Sequence, residues 1–191
     1  MRVFRTLVVL GAVALTAYYL GTQRGSDLVA PAQRTVAPVM PPAVQQQIGS
    51  VERALALAKQ SGKPVPLTLS FTQQDLTTAA AAYFPQTYAA FTLSDPSVQL
   101  ASGQVRLTTA ASLLVLHSTA VVTATPYVAS GRPAVRVDSA TIGGTPVPDQ
   151  VRQGLASDIA SAIAAQVPPN LVVSSITVGN GVLAVQGVAN P

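Results

Sequence analysis

From Val98 to Asp138 the chain lays down one strand-like stretch after another with no helical stretch between them, and that order constrains its fold more than any other feature. Val98 and Leu100 alternate with polar neighbours, Ser102-Gly103 offers a turn, and Val105 and Leu107 alternate with Gln104, Arg106 and Thr108. Period-two alternation of this kind marks half-buried strands. Residues 112 to 125, SLLVLHSTAVVTAT, read as one long strand or as two with a bend, and Val135 and Val137 alternate with Arg136 and Asp138. Consecutive strands without crossover helices pair antiparallel, so the expected class is α+β, with a mainly antiparallel sheet packed with about three helices.

The helices are legible on either side of this β-rich middle. Val44, Ile48, Val51, Leu55 and Ala58 fall on one stripe of a helix over 44–60, ended by Gly62 and Pro64. A short strand over 66–71 leads into Thr72-Gln-Gln-Asp75, a capping-box signature that opens a second helix running to Tyr83. A third helix starts at Pro148 or Asp149; Val151, Leu155, Ile159, Ile163 and Val167 recur at every fourth position, and Pro168-Pro169 ends it. Asn180-Gly181 between the apolar runs 171–178 and 182–188 is a hairpin signal.

Ahead of all this lies a segment of different character. No charged residue occurs from Leu7 to Leu20, a run that includes Val8, Val9, Leu10, Val13, Leu15, Tyr18 and Tyr19, while Arg2 and Arg5 precede it. With Val3, Phe4 and Thr6 it approaches the ~20 apolar residues that span a bilayer, and the two tyrosines sit where aromatic rings favour the interface. Residues 1–21 are therefore expected to be a transmembrane signal-anchor in the cell membrane. Positive charge before the span places the N-terminus in the cytoplasm and the C-terminal domain in a periplasmic, extracytoplasmic space. A cleaved signal peptide is the alternative, and it leaves the domain on the same side. Residues 22–43, with Pro31, Pro38, Pro41 and Pro42, read as a semi-stiff linker, and 44–191 as the outer domain.

Composition bears mainly on what the domain does not do. Beyond residue 44 seven basic residues face six acidic ones, with no basic cluster and few aromatics, so no nucleic-acid partner is expected. Cysteine is absent, which removes disulfides, thiolate metal sites and thiol nucleophiles. His117 is the single histidine, and Ser118 beside it points to the opposite face of a strand. Gly179-x-Gly181-x-x-Ala184 has the letters of a dinucleotide fingerprint but is followed by strand rather than helix. No catalytic residue, cofactor or metal site is expected, and the chain is read as a non-enzyme.

The long middle stretch is apolar on both faces: Leu114, Leu116, Ala120, Val122 and Ala124 on one, Leu113, Val115 and Val121 with His117 and Tyr127 on the other. A sheet covered on one side alternates cleanly. Two alternatives follow: helices cover both faces, or one face forms a groove for an apolar ligand. In the second case Leu113, Val115 and Val121 line it together with Val151, Leu155, Ile159 and Ile163 of the third helix.

The stretches FTQQDLTTAAAAY (71–83), SDPSVQLASGQVRLTT (94–109) and ITVGNGVLAVQGV (176–188) resemble the YpmS-like and LmeA-like families of bacterial envelope proteins. That resemblance implies a curved antiparallel sheet wrapped on helices and a lipid-related role at the envelope, and it transfers no site residue. The expected partners are thus the membrane and a lipid or other apolar ligand. The alternative is that the chain is an accessory subunit of a larger membrane complex, such as an electron-transfer or photosynthetic assembly.

Overall fold

The computed structural model describes residues 41–82, 84, 86–88, 91–113 and 116–191. The expected anchor (1–21) and all but the last three residues of the expected linker lie outside the described residues. Among the described residues no helix is long and apolar enough to cross a membrane. They form three helices and nine strands: α1 (Pro42–Ser61), β1 (Val65–Thr72), α2 (Gln73–Ala81), β2 (Gln86–Tyr88), β3 (Phe91–Ala101), β4 (Gln104–Leu113), β5 (Leu116–Ala129), β6 (Arg132–Ile142), β7 (Thr145–Pro146), α3 (Asp149–Gln166), β8 (Leu171–Gly179) and β9 (Val182–Ala189). Every strand pair is antiparallel. The α+β class is thus as the strand order implies.

Local chemistry sets the helix ends. Pro42 occupies the first turn of α1, so the helix begins two residues before the expected position; proline there forfeits only an N–H that has no helical partner. Gly62 closes α1 in the left-handed conformation, its N–H donating to Ala58 O. The capping box of α2 forms as its sequence spells it. Asp75 N–H donates to Thr72 Oγ1 at 3.1 Å, and Thr72 N–H donates to Asp75 Oδ2 at 2.9 Å. The helix ends at Ala81, two residues short of the expected Tyr83.

The strands make two sheets. Strands β2 to β7 form a six-stranded meander in chain order, and β1, β9 and β8 form a three-stranded sheet in that spatial order. Tight two-residue turns join β3 to β4 and β5 to β6. Ser102-Gly103 and Ser130-Gly131 have positive φ at both positions, the geometry that matches strand twist. The stretch 112–125 is not a single strand. β4 ends at Leu113 and β5 begins at Leu116, and these two residues pair.

The two sheets meet where the meander turns. Val173 N–H of β8 donates to Gly131 O at 2.8 Å, and Gly103 N–H donates to Val178 O at 3.1 Å. The outer edge of β8 is thereby covered by two hairpin tips. Helical side chains meet backbone groups on β3 and β1. Thr77 Oγ1 of α2 accepts from Val98 N–H at 3.0 Å and donates to Val98 O at 3.3 Å, and Gln73 Oε1 accepts from Leu100 N–H. On β1, Pro66 has no N–H to offer, Ser70 N–H donates to Gln47 of α1, and Thr72 N–H is taken by Asp75. An uncovered row of backbone donors and acceptors invites another strand; on β1, β3 and β8 part of that row is met from within the chain.

One apolar core joins the layers. It draws Val44 and Val51 from α1, Leu69 and Phe71 from β1, Leu76 and Ala80 from α2, Leu93, Val98, Leu107, Val122 and Val137 from the meander, and Ile159 and Ile163 from α3. Burying each large aliphatic side chain contributes about 1.5–3 kcal/mol against the entropy of ordering the chain.

Candidate functional site

Alternation within the meander separates its two faces. Leu107 and Thr109 on β4, Ala120, Val122 and Ala124 on β5, and Val137 and Ala140 on β6 are buried on one face. On the other face lie Arg106, Thr108, Ser112, His117, Thr119, Val121, Thr123, Thr125 and Ser139, exposed or half-buried. Tyr127 on this side is 47 % exposed. The inner face is apolar and the outer one is rich in hydroxyls, so the meander has the pattern of a sheet with one face on the core.

Helix α3 lies against β6 on the inner side. Ile159, 0 % exposed, with Ile163 and Val167, joins the core that contains Val122, Val137 and Ala140. Its ends are not held by its own caps: Pro148 at the N-cap makes no side-chain cap, and the last turn carries no basic residue. Two arginines serve instead. Arg132, at the start of β6, donates from Nη1 to Val167 O at 3.1 Å and to Pro168 O at 3.0 Å, meeting carbonyls at the C-terminal end of α3. At the other end Arg152 Nη1 of α3 donates to Asp138 O of β6 at 2.9 Å, while its Nη2 pairs with Asp149 at 2.8 Å.

Asp138 sits where the β5–β6 register shifts, opposite the step from Thr123 to Ala124. A bulge leaves ladder groups unpaired, and Arg152 takes up the Asp138 carbonyl. The carboxylate, 19 % exposed, accepts from Thr125 Oγ1, from Arg136 Nε at 2.8 Å and from Gln104 Nε2 at 3.1 Å. Burial by itself pushes the carboxyl pKa up. The hydrogen bonds from Thr125 and Arg136, together with the Arg136 charge, outweigh burial and hold it below the ordinary aspartate value.

The structure divides the residues expected to line a groove. Ile159 and Ile163 are buried in the core. Val121 is half-buried on the opposite, hydroxyl-rich face, between Thr108 and Thr141 in the register, and does not join them. Leu113 stands opposite Leu116, in the register row of Leu107, Thr109 and Ala111 rather than that of Val121. The chain reverses between β4 and β5, so odd positions before the reversal share a face with even positions after it. Treating 112–125 as one strand put Leu113 and Val121 together; the hairpin separates them. Val115 lies outside the described residues, as do the anchor positions Leu7, Val8, Val9, Leu10, Val13, Leu15, Tyr18, Tyr19 and Leu20; the side chains of Leu113, Val151 and Leu155 are likewise not described.

The reversal also gives His117 a neighbour that sequence adjacency did not suggest. Ser112 is its cross-strand partner, with Oγ 3.3 Å from Nδ1. Both are near solvent, and no described carboxylate orients the imidazole. Among the described residues no group of three or more histidines or acids could hold a metal ion.

The residues that sequence reasoning missed are Arg132, Arg152 and Asp138, which tie α3 to β6. The bulge at Asp138 and the reach of Arg132 across 35 residues leave no local pattern. No protein-family model matches the chain, and no curated protein is significantly similar to it.

Proposed function

We propose that this chain is a single-span, membrane-anchored envelope protein without enzymatic activity, whose extracytoplasmic domain binds a lipid or other apolar ligand between α3 and the inner face of the meander. The observation that carries this reading is the way α3 lies along the β6 side of that face. The helix packs on β6, whose buried Val137 and Ala140 continue the apolar inner face of Leu107 and Val122, and its ends are fastened to β6 by arginine hydrogen bonds rather than by caps of its own. A layer fastened by a few polar ties can part from its floor at less cost than one locked by dense interdigitation.

Two register shifts, at Ser94/Ser97 and at Thr123/Ala124, support a sheet bent around the helix, since bulges bend strands. Apolar walls with few polar groups are the usual lining of a ligand site. The charge-free run 7–20 behind Arg2 and Arg5 supports an anchor with the domain outside, and residues 22–43 then serve as its spacer. The resemblance to YpmS-like and LmeA-like envelope proteins points the same way.

The test is native mass spectrometry of the full-length chain extracted from membranes in mild detergent. The reading expects one retained lipid per protein after the detergent is stripped. Bare protein alone contradicts it, and stoichiometric attachment to other membrane subunits without lipid favours an accessory-subunit role instead.

A further inference from the structure

The charge of the outer domain is unevenly placed. From Glu52 to Lys63 three basic residues, Arg53, Lys59 and Lys63, stand against Glu52 alone, whereas beyond Lys63 four basic residues face five acidic ones. Both lysines of the chain fall in this one stretch. Three of the four later arginines, Arg132, Arg136 and Arg152, are engaged inside the fold. The three cations at α1 are exposed, and none forms an ion pair with a described residue; Arg53 bonds only to Gly49 O and Ser50 Oγ of its own helix. Leu57 lies among them, 54 % exposed, the most exposed large apolar side chain of the described residues. Val51, Ala54 and Ala58 turn one side of α1 to the core. At 3.6 residues per turn Arg53 lies on the far side, with Leu57 and Lys59 at its two margins. Lys59 in the last turn suits the helix dipole, but the dipole asks nothing of Arg53 in mid-helix, nor of an exposed leucine.

We infer that the outer side of the C-terminal half of α1 docks on the anionic phospholipid headgroups of the membrane that carries the anchor. This rests on the anchored reading of residues 1–21, and it adds a second, reversible membrane contact made by the folded domain. The length of the chain ahead of α1 permits it. Residues 22–41 separate the expected anchor from the helix. Extended Pro-rich chain covers about 3.1 Å per residue, so this tether reaches roughly 60 Å, about twice the length of α1 at 1.5 Å per residue. The helix can therefore lie along the bilayer while the tether keeps the headgroups at a high effective concentration. Charge complementarity supplies the attraction. Each Lys or Arg near an anionic surface strengthens it roughly fivefold, and Leu57 enters the interface beside Arg53 as apolar side chains of interfacial helices do.

The experiment uses the full-length chain reconstituted into vesicles. The chain has no cysteine, so Gln60→Cys on the outer side of α1, or Thr119→Cys on the exposed face of the meander, carries a single fluorophore. The vesicles contain a lipid with a quencher on its headgroup, in phosphatidylcholine either alone or mixed with phosphatidylglycerol. Quenching at position 60 is expected to be several-fold stronger with phosphatidylglycerol and to exceed that at position 119. It is expected to fall to the phosphatidylcholine level in about 1 M salt, where the screening length is about 3 Å, and in the triple variant Arg53→Gln, Lys59→Gln, Lys63→Gln. Leu57→Gln is expected to weaken it. Equal quenching at 60 on the two kinds of vesicle, or quenching at 60 no stronger than at 119, overturns the inference. So does an anionic preference that persists in high salt or in the triple variant. The salt comparison leaves the patch unaltered, so it does not depend on how the triple variant folds. Flotation in the same salt keeps the parent reading separate. A chain that rises with the vesicles is anchored whatever the quenching shows; one that stays behind overturns the anchored reading and this inference with it.

Discussion

Replacing Arg132 with alanine removes the tie between the first residue of β6 and the end of α3. Two of its hydrogen bonds are well formed, to Val167 O at 3.1 Å and Pro168 O at 3.0 Å; the one to Pro169 O, at 3.5 Å, contributes little. A hydrogen bond from a charged donor contributes about 1.5–3 kcal/mol, and a cation at a helix C-terminus adds about 0.3–1 kcal/mol. Partial exposure of this corner lets water replace some of the loss, so the expected cost is about 2–3 kcal/mol. With a urea m-value of about 2 kcal/mol/M, the midpoint falls by roughly 1 M. Urea unfolding followed by far-ultraviolet circular dichroism reads the midpoint, and amide hydrogen exchange reads where the loss falls. Protection should drop in α3 and leave β1, β8 and β9 as they were. Arg132→Lys should recover less than half of the loss, because one ammonium cannot reproduce the planar fork. A loss under about 0.5 kcal/mol, or loosening spread evenly over both sheets, refutes the view that α3 is fastened at this point.

Three further outcomes follow from the same geometry. Gly187→Ala should cost about 2–4 kcal/mol, since a Cβ there comes within 2.6 Å of the Val172 carbonyl oxygen and meets backbone that cannot swing away; a thermal melt unchanged within two or three degrees contradicts this. Val121→Asp should be tolerated within about 1 kcal/mol on the hydroxyl-rich face, whereas Val122→Asp should prevent folding at 25 °C; equal effects in circular dichroism contradict the register. The depressed pKa of Asp138 contributes stability that is fully present above the unfolded aspartate value, about 3.9, and lost as pH falls through the lower native value. Melting temperature measured from pH 7 to pH 2.5 should therefore fall less steeply below about pH 4 in Asp138→Asn than in wild type, and parallel curves contradict the assignment.

What could be read from the sequence was what short-range chemistry determines. The capping box at Thr72 and Asp75 spans four residues, and its two hydrogen bonds close within them, so pattern and structure coincide. Asn180-Gly181 carries the positive-φ residues that its turn demands, and the hairpin follows. The same rule explains the main misreading. Residues 114–115 are Leu-Val, without the glycine, asparagine or proline that marks a reversal, so 112–125 looked like continuous strand and its faces were assigned across a reversal. That single slip moved Leu113 to the wrong row, because a strand repeats every two residues and a reversal exchanges odd for even.

The candidate site was legible only in its helix. The four-residue spacing of Ile159 and Ile163 put both in the core. Arg132, Arg152 and Asp138 read as scattered surface charges, since their partners are backbone carbonyls and a bulge that exist only once β6 and α3 lie together.

The claim on which the account turns is that the space between α3 and the meander is where a lipid binds. Hydrogen exchange of the full-length chain, first stripped of lipid and then resupplied with it, measures this directly. The account predicts slower exchange in α3, in the facing stretch of β6 and in the adjoining β4 and β5 on lipid addition, with β1, β8 and β9 unchanged. Exchange in α3 and β4–β6 that is the same with and without lipid contradicts it.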